Sequence, residues 1–208
     1  MRSTGESAKS RVVESISSAI VLAVALCMLP GVAQAEGLMQ AYRQALTQDM
    51  SLVAALEECG HHIAGRGSSP NAIGQWELDA AIMDGRSRNA GAVASLRGYK
   101  SPVTAARLVM EKTPHVMLVG AGALDFALAN GFEREDLLTE RSRAAWEQWK
   151  SENGETQPMI DIENHDTIGM LTLDQAGNLS GACTTSGAAY EYHGRVGDSP
   201  IIGAGLYV

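Results

Sequence analysis

The sequence predicts an α/β (α+β) domain, and three features carry that prediction. Some stretches repeat apolar residues at helical spacing, others are short apolar runs bounded by turn residues. The two kinds alternate along most of the chain, and the last part reads as a hairpin of two strands.

Taken in order, residues 1–35 read as an export leader. Arg2, Lys9 and Arg11 give a positive start, and residues 19–29 form an apolar run too short to span a bilayer comfortably. Pro30-Gly31 breaks that run and Ala33-Gln-Ala35 supplies a small-x-small cleavage signature. Cleavage near Ala35 and export to a periplasm or the exterior are expected, with no membrane attachment afterwards. In residues 38–59, Leu38, Tyr42, Ala45, Leu46, Val53 and Leu56 lie near helical spacing, and Gly60 stops the helix. Residues 60–75, rich in Gly, Ser, Pro and Asn, read as a loop. A strand over 76–83 turns at Asp84-Gly85 into its neighbour over 90–97. Ser101-Pro102 opens a helix to about Lys112, with serine as N-cap and proline in the first position.

Residues 116–119 read as a short buried strand and 121–130 as a helix ended by Gly131. A charged helix over 133–152 is expected to bury Leu137, Leu138, Ala145, Trp146 and Trp149. Residues 150–165 are mostly polar, with Gly154 and Pro158 as breakers, and read as a surface loop. The closing hairpin pairs 167–173 with 179–185 across the turn Asp174-Gln-Ala-Gly-Asn178.

Composition narrows the function. The 208-residue chain carries a net charge of −8 and no basic run, so it has no electrostatic footprint for nucleic acid. A small polar substrate suits it better. Of three cysteines, Cys27 leaves with the leader; Cys59 and Cys183 are expected as unpaired thiols, a single bridge staying open. His61-His62 beside Glu57, Glu58 and Cys59 match no zinc spacing, so no metal is expected. Gly120-Ala-Gly122 lacks the third glycine of a dinucleotide turn, Asp125 standing in its place, and no cofactor is expected.

The chemistry concentrates at residues 164–170, Asn-His-Asp-Thr-Ile-Gly-Met. Cutting the Asp166–Thr167 bond would leave a threonine whose own α-amine, of ordinary pKa about 7.7–8.0, lies within reach of its hydroxyl as a general base. The residue types alone fit an ordinary loop-to-strand boundary as well. Arg195 and Asp198 likewise read either as a surface pair in a turn or as a grip for an amino acid. In the second reading, guanidinium takes a carboxylate through two parallel hydrogen bonds and Asp198 takes the ammonium.

Six blocks in order bear on these alternatives: Leu78-Asp-Ala-Ala-Ile-Met-Asp-Gly85, Ala90-Gly-Ala-Val-Ala-Ser-Leu-Arg97, His115-Val-Met-Leu-Val-Gly120, His165-Asp-Thr-Ile-Gly-Met170, Thr184-Thr-Ser-Gly187, and His193-Gly-Arg-Val-Gly-Asp-Ser-Pro-Ile-Ile-Gly-Ala-Gly205. With them, nearly the whole chain after the leader resembles the glycosylasparaginases (aspartylglucosaminidases), in the asparaginase branch of the N-terminal-nucleophile hydrolases.

The resemblance implies an αββα sandwich, incomplete in this chain, with residues 36–166 as one subunit and 167–208 as the start of a second, truncated one. It implies self-cleavage in which Thr167 attacks the Asp166 carbonyl, aided by His165 and Asp166. Thr167 is then the catalytic nucleophile, Thr185 its contacting threonine, and Arg195 and Asp198 the substrate grip. The substrate implied is N4-(β-N-acetylglucosaminyl)-L-asparagine, with release of aspartate. The alternatives are an isoaspartyl peptidase or L-asparaginase of the same superfamily, or a catalytically inert fragment. The partners implied are the chain's own cleaved halves, as a dimer of heterodimers. Two features depart from the pattern: no apolar strand with a Thr-Trp pair follows the leader, and Gly65-Arg-Gly-Ser68 stands where relatives have Gly-Tyr-Gly-Gly.

Overall fold

The structure, a computed structural model, describes residues 53, 54, 57, 64–154, 165–174 and 176–208. Its elements are β1 (Leu78–Asp84), β2 (Asn89–Leu96), α1 (Pro102–Lys112), β3 (Met117–Val119), α2 (Gly120–Ala129), α3 (Glu140–Asn153), β4 (His165–Leu173) and β5 (Leu179–Ala188). One sheet runs in the order β3-β2-β1-β5-β4. Only the β2–β3 pair is parallel; the others are antiparallel. The α/β class expected from the pattern is present. The described residues form one mixed sheet with helices packed on it, consistent with the fold that the resemblance implied.

Strand alternation divides the side chains of β1 between two faces. Ala80 and Ile82 point to one face and join Val93, Leu96 and Ala182 against Val103, Ala106 and Val109 of α1 and Ala123 and Ala127 of α2. Helix and sheet approach closely here because β2 offers Gly91. A Cβ at that position would collide with the Ala106 carbonyl and the Met110 amide. On the opposite face, Ala81, Met83, Ala92 and Cys183 pack with Leu206 from the last residues of the chain. Cys183 is a free, buried thiol, while Cys59 lies outside the described residues.

Several elements differ from expectation for identifiable reasons. The helix expected over 133–152 starts only at Glu140, because the Thr139 side chain accepts the Ser142 N–H and sets the N-cap there. It runs on to Asn153, into the stretch read as loop. Of the residues expected to be buried, Leu137 is buried but precedes the helix, and Ala145 is exposed. Trp146 and Trp149 are half-buried, and they brace loops instead of filling a core. The Trp146 indole donates to the Ala72 carbonyl at 3.2 Å and Trp149 stacks on Tyr190 at 4.7 Å. β3 is an edge strand, with Val116 and Val119 both exposed, so its expected burial does not hold. Of the helix expected over 38–59, Val53, Ala54 and Glu57 are helical; the rest, with His61 and His62, lies outside the described residues.

Ser101 occupies the N-cap position of α1 as expected, yet its side chain makes no capping bond. Glu57 takes that part from a distance. Its fully buried carboxyl accepts the Val103 N–H at 3.3 Å and the hydroxyls of Ser101 at 2.7 Å and Thr184 at 2.6 Å. Burial pushes this carboxyl up to about 7, against the lowering effect of those three donors.

An acid whose folded pKa is raised holds its stabilising contribution below the unfolded pKa and loses it as pH rises through the folded value. Stability should therefore fall between about pH 4.5 and pH 7–8, by on the order of 3 kcal/mol from this group. Glu57→Gln, a neutral isostere, should remove that part of the pH dependence in urea melts at pH 5 and pH 8. Equal slopes for the two proteins would contradict the assignment.

Candidate active site

The β4–β5 register places Thr167 directly opposite Thr185, and the β1–β5 register places Thr185 opposite Asp79. Cross-strand partners share a face, and strands lie about 4.8 Å apart, so the three side chains form one row across the sheet. Thr167 is exposed at the sheet's edge strand, whereas Thr185 and Asp79 are both 3% exposed. The structure thus buries Thr185. Its hydroxyl accepts the Gly187 N–H at 3.0 Å. The side-chain roles expected of His165 and Asp166 lie outside the described side chains.

The ladder is irregular where it matters. His165 pairs with Ala188 and Thr167 with Thr185, so β5 spends one residue more than β4 over this interval. This is a bulge opposite the Asp166–Thr167 bond, and its Gly187 has φ +75. A Cβ there would also collide with the Glu191 carboxylate. That carboxylate accepts the Ala188 N–H at 2.8 Å and the Arg195 Nη1 at 2.8 Å.

Arg195 sits in a loop tied to β1 by two carboxylates. Glu77 accepts the Gly194 N–H at 2.9 Å, Arg97 Nη2 at 2.6 Å and Asn71 Nδ2 at 2.8 Å, with His193 Nδ1 at 3.5 Å. Burial pushes Glu77 up, but the Gly194 N–H, Arg97 and Asn71 outweigh it and hold the carboxyl below its ordinary value. Asp79 accepts the Ser95 N–H at 2.8 Å. Burial pushes it up to about 6, opposed by that bond, by the Arg195 charge and by the Gly197 N–H. Burial raises Glu191 as well, with the Ala188 N–H and Arg195 acting against it.

Asp198, three residues on, is exposed. Its carbonyl accepts the Ile201 and Gly205 N–H groups at 2.8 and 3.1 Å, closing a turn over buried Ser199 and Pro200. Arg195 pairs with Glu191 rather than with Asp198, so the alternative of a simple Arg–Asp surface pair does not hold. The row and the loop thus bring a threonine hydroxyl, a guanidinium and a carboxylate to one part of the sheet. That set can serve acyl transfer on an amino-acid amide.

Comparisons with known proteins give the family of the chain. The family model described as Asparaginase matches residues 16–208. The chain belongs to the asparaginase family. It is 59% identical over 144 residues to an N(4)-(β-N-acetylglucosaminyl)-L-asparaginase of Elizabethkingia miricola, covering 69% of this chain and 42% of that one. It is 38% identical over 180 residues to the enzyme of that name from Rattus norvegicus, covering 73% and 52%. A putative member from Drosophila erecta is 38% identical over 208 residues, covering 84% and 52%. The chain spans about half the length of the curated relatives it matches.

In this asparaginase-family chain the carboxylates beneath the loop escaped the sequence reading. A signal was available: Glu77 and Asp79 alternate with Leu78 and Ala80, which puts two acids on one face of a buried strand. Glu191, four residues before Arg195, was the other. Gly187→Ala should destabilise the protein by about 1–3 kcal/mol, combining a left-handed φ with displacement of the Glu191 carboxylate. Thermal melting measures it, and an unchanged midpoint would mean the bulge relaxes without cost.

Proposed function

We propose that this chain is an autoproteolytically activated amidohydrolase that cleaves the side-chain amide of asparagine derivatives, with N4-(β-N-acetylglucosaminyl)-L-asparagine as substrate. The observation that carries the reading is the row Thr167–Thr185–Asp79 beside Arg195. The names of the relatives support the substrate.

In this scheme the Thr167 hydroxyl first attacks the Asp166 carbonyl and the carbon–nitrogen bond breaks, so the peptide becomes an ester with the Thr167 amine free; water then opens the ester, which returns the hydroxyl and leaves Asp166 as a carboxylate. That amine then accepts the hydroxyl proton as the oxygen bonds to the substrate's side-chain carbonyl carbon. The carbon–nitrogen bond breaks and the nitrogen leaves with the proton as a glycosylamine. Water hydrolyses the resulting ester and aspartate departs. Thr185 lies next to the nucleophile in the ladder, where its buried hydroxyl is suited to position the amine. Arg195 grips the substrate carboxylate and Asp198 the ammonium. The reading also includes removal of the leader near Ala35, export, and assembly of the cleaved halves as a dimer of heterodimers.

The test uses the full chain. A denaturing gel with N-terminal sequencing should find a new end at Thr167, with pieces corresponding to residues 36–166 and 167–208. The cut protein should release aspartate from the glycosylasparagine. Thr167→Ala should abolish the cut and lower hydrolysis by about a thousandfold or more. An uncut chain that hydrolyses the amide, or an alanine variant that keeps either reaction, contradicts the proposal.

A further inference from the structure

We propose that Glu191 is the positioning residue for Arg195: it clamps one edge of the guanidinium, so that the remaining edge offers two parallel N–H groups to a substrate carboxylate. This deepens the amidohydrolase reading and rests on it.

The clamp is built from several sides. The Glu191 backbone is fixed to the loop ahead of β1, since its carbonyl accepts the Ala72 N–H at 2.8 Å. Its neighbour Tyr190 donates to the Pro70 carbonyl at 3.0 Å and stacks on Trp149. The carboxylate, 3% exposed, occupies the space that Gly187 leaves by having no side chain. It accepts the Ala188 N–H and Arg195 Nη1, each at 2.8 Å. Such a buried, doubly engaged carboxylate cannot rotate without losing a bond.

Arg195 is correspondingly restricted. Its guanidinium packs over Gly197, where an added Cβ would lie 3.2 Å from Nη1. Among the described residues, Nε and Nη2 donate no hydrogen bond, and that edge matches the spacing of a carboxylate's two oxygens. A guanidinium held at one edge keeps little of the side-chain freedom that binding would otherwise remove. The competing possibility is that Glu191 occupies Arg195 in place of substrate, and it makes the opposite prediction.

The experiment measures L-aspartate binding by calorimetry, and KM and kcat for the glycosylasparagine, on the full chain and on Glu191→Ala and Glu191→Gln. The alanine variant should bind aspartate at least about tenfold more weakly, with KM raised and kcat within about threefold. The glutamine variant, which keeps a neutral acceptor, should fall between it and the wild type. Aspartate α-amide, which lacks the α-carboxylate, should bind all three proteins alike. If the alanine variant fails to fold, the glutamine variant decides alone, with weakening of about threefold expected. Unchanged or tighter aspartate binding, or a loss confined to kcat, overturns the clamp while leaving the amidohydrolase reading standing. A wild-type chain that neither binds aspartate nor hydrolyses the amide overturns both.

Discussion

The bulge in β5 at Gly187 serves two requirements that no other residue type meets together. Its left-handed backbone shifts the β4–β5 ladder by one residue opposite the Asp166–Thr167 bond, and its missing side chain makes room for the Glu191 carboxylate. The backbone just before the threonine and the orientation of the guanidinium therefore meet at one local irregularity. The row itself is set by unbroken ladders that run from the β4–β5 turn: Thr167 faces Thr185, Thr185 faces Asp79, and Asp79 faces the Arg195 loop.

Burying three carboxylates so close together is unfavourable unless each finds donors. Glu77 does so completely, with a backbone N–H, an amide and a guanidinium, and it stays ionised below its ordinary pKa. Asp79 and Glu191 have fewer donors and repel each other through space, so burial wins and both are raised. The arrangement stiffens the loop that carries Arg195 through backbone N–H groups of Gly194 and Gly197. On the opposite face, Glu57 joins the start of α1 to Thr184 in β5. The sheet is thus tied by polar contacts on one side and mostly by small apolar residues on the other.

Local patterns in the sequence carried most of the fold. The β1–β2 hairpin, α1, α2 and the β4–β5 hairpin appear within one to three residues of their expected bounds, because each is marked by turn residues, a proline or a glycine at its end. α3 was misplaced because two tryptophans at helical spacing looked like a core stripe, whereas they brace loops. β3 was read as buried because the four apolar residues 116–119 do not say whether a neighbour lies on each side. For the site, Thr167, Thr185, Arg195 and Asp198 could be picked out from their motifs. Glu77, Asp79 and Glu191 show in the sequence only as alternation and spacing, since their part depends on a register and a bulge that join distant segments.

The proposed chemistry requires the exposed threonine of the row to be the reacting group and the loop beside it to be the grip. Incubating the protein with an electrophilic asparagine analogue, followed by intact-mass measurement and peptide mapping, addresses both at once. One label per chain should map to Thr167, and free L-aspartate should slow its attachment in the wild type but not in Arg195→Ala. A label on another nucleophile such as Cys183, or protection by aspartate that survives the loss of Arg195, would contradict it.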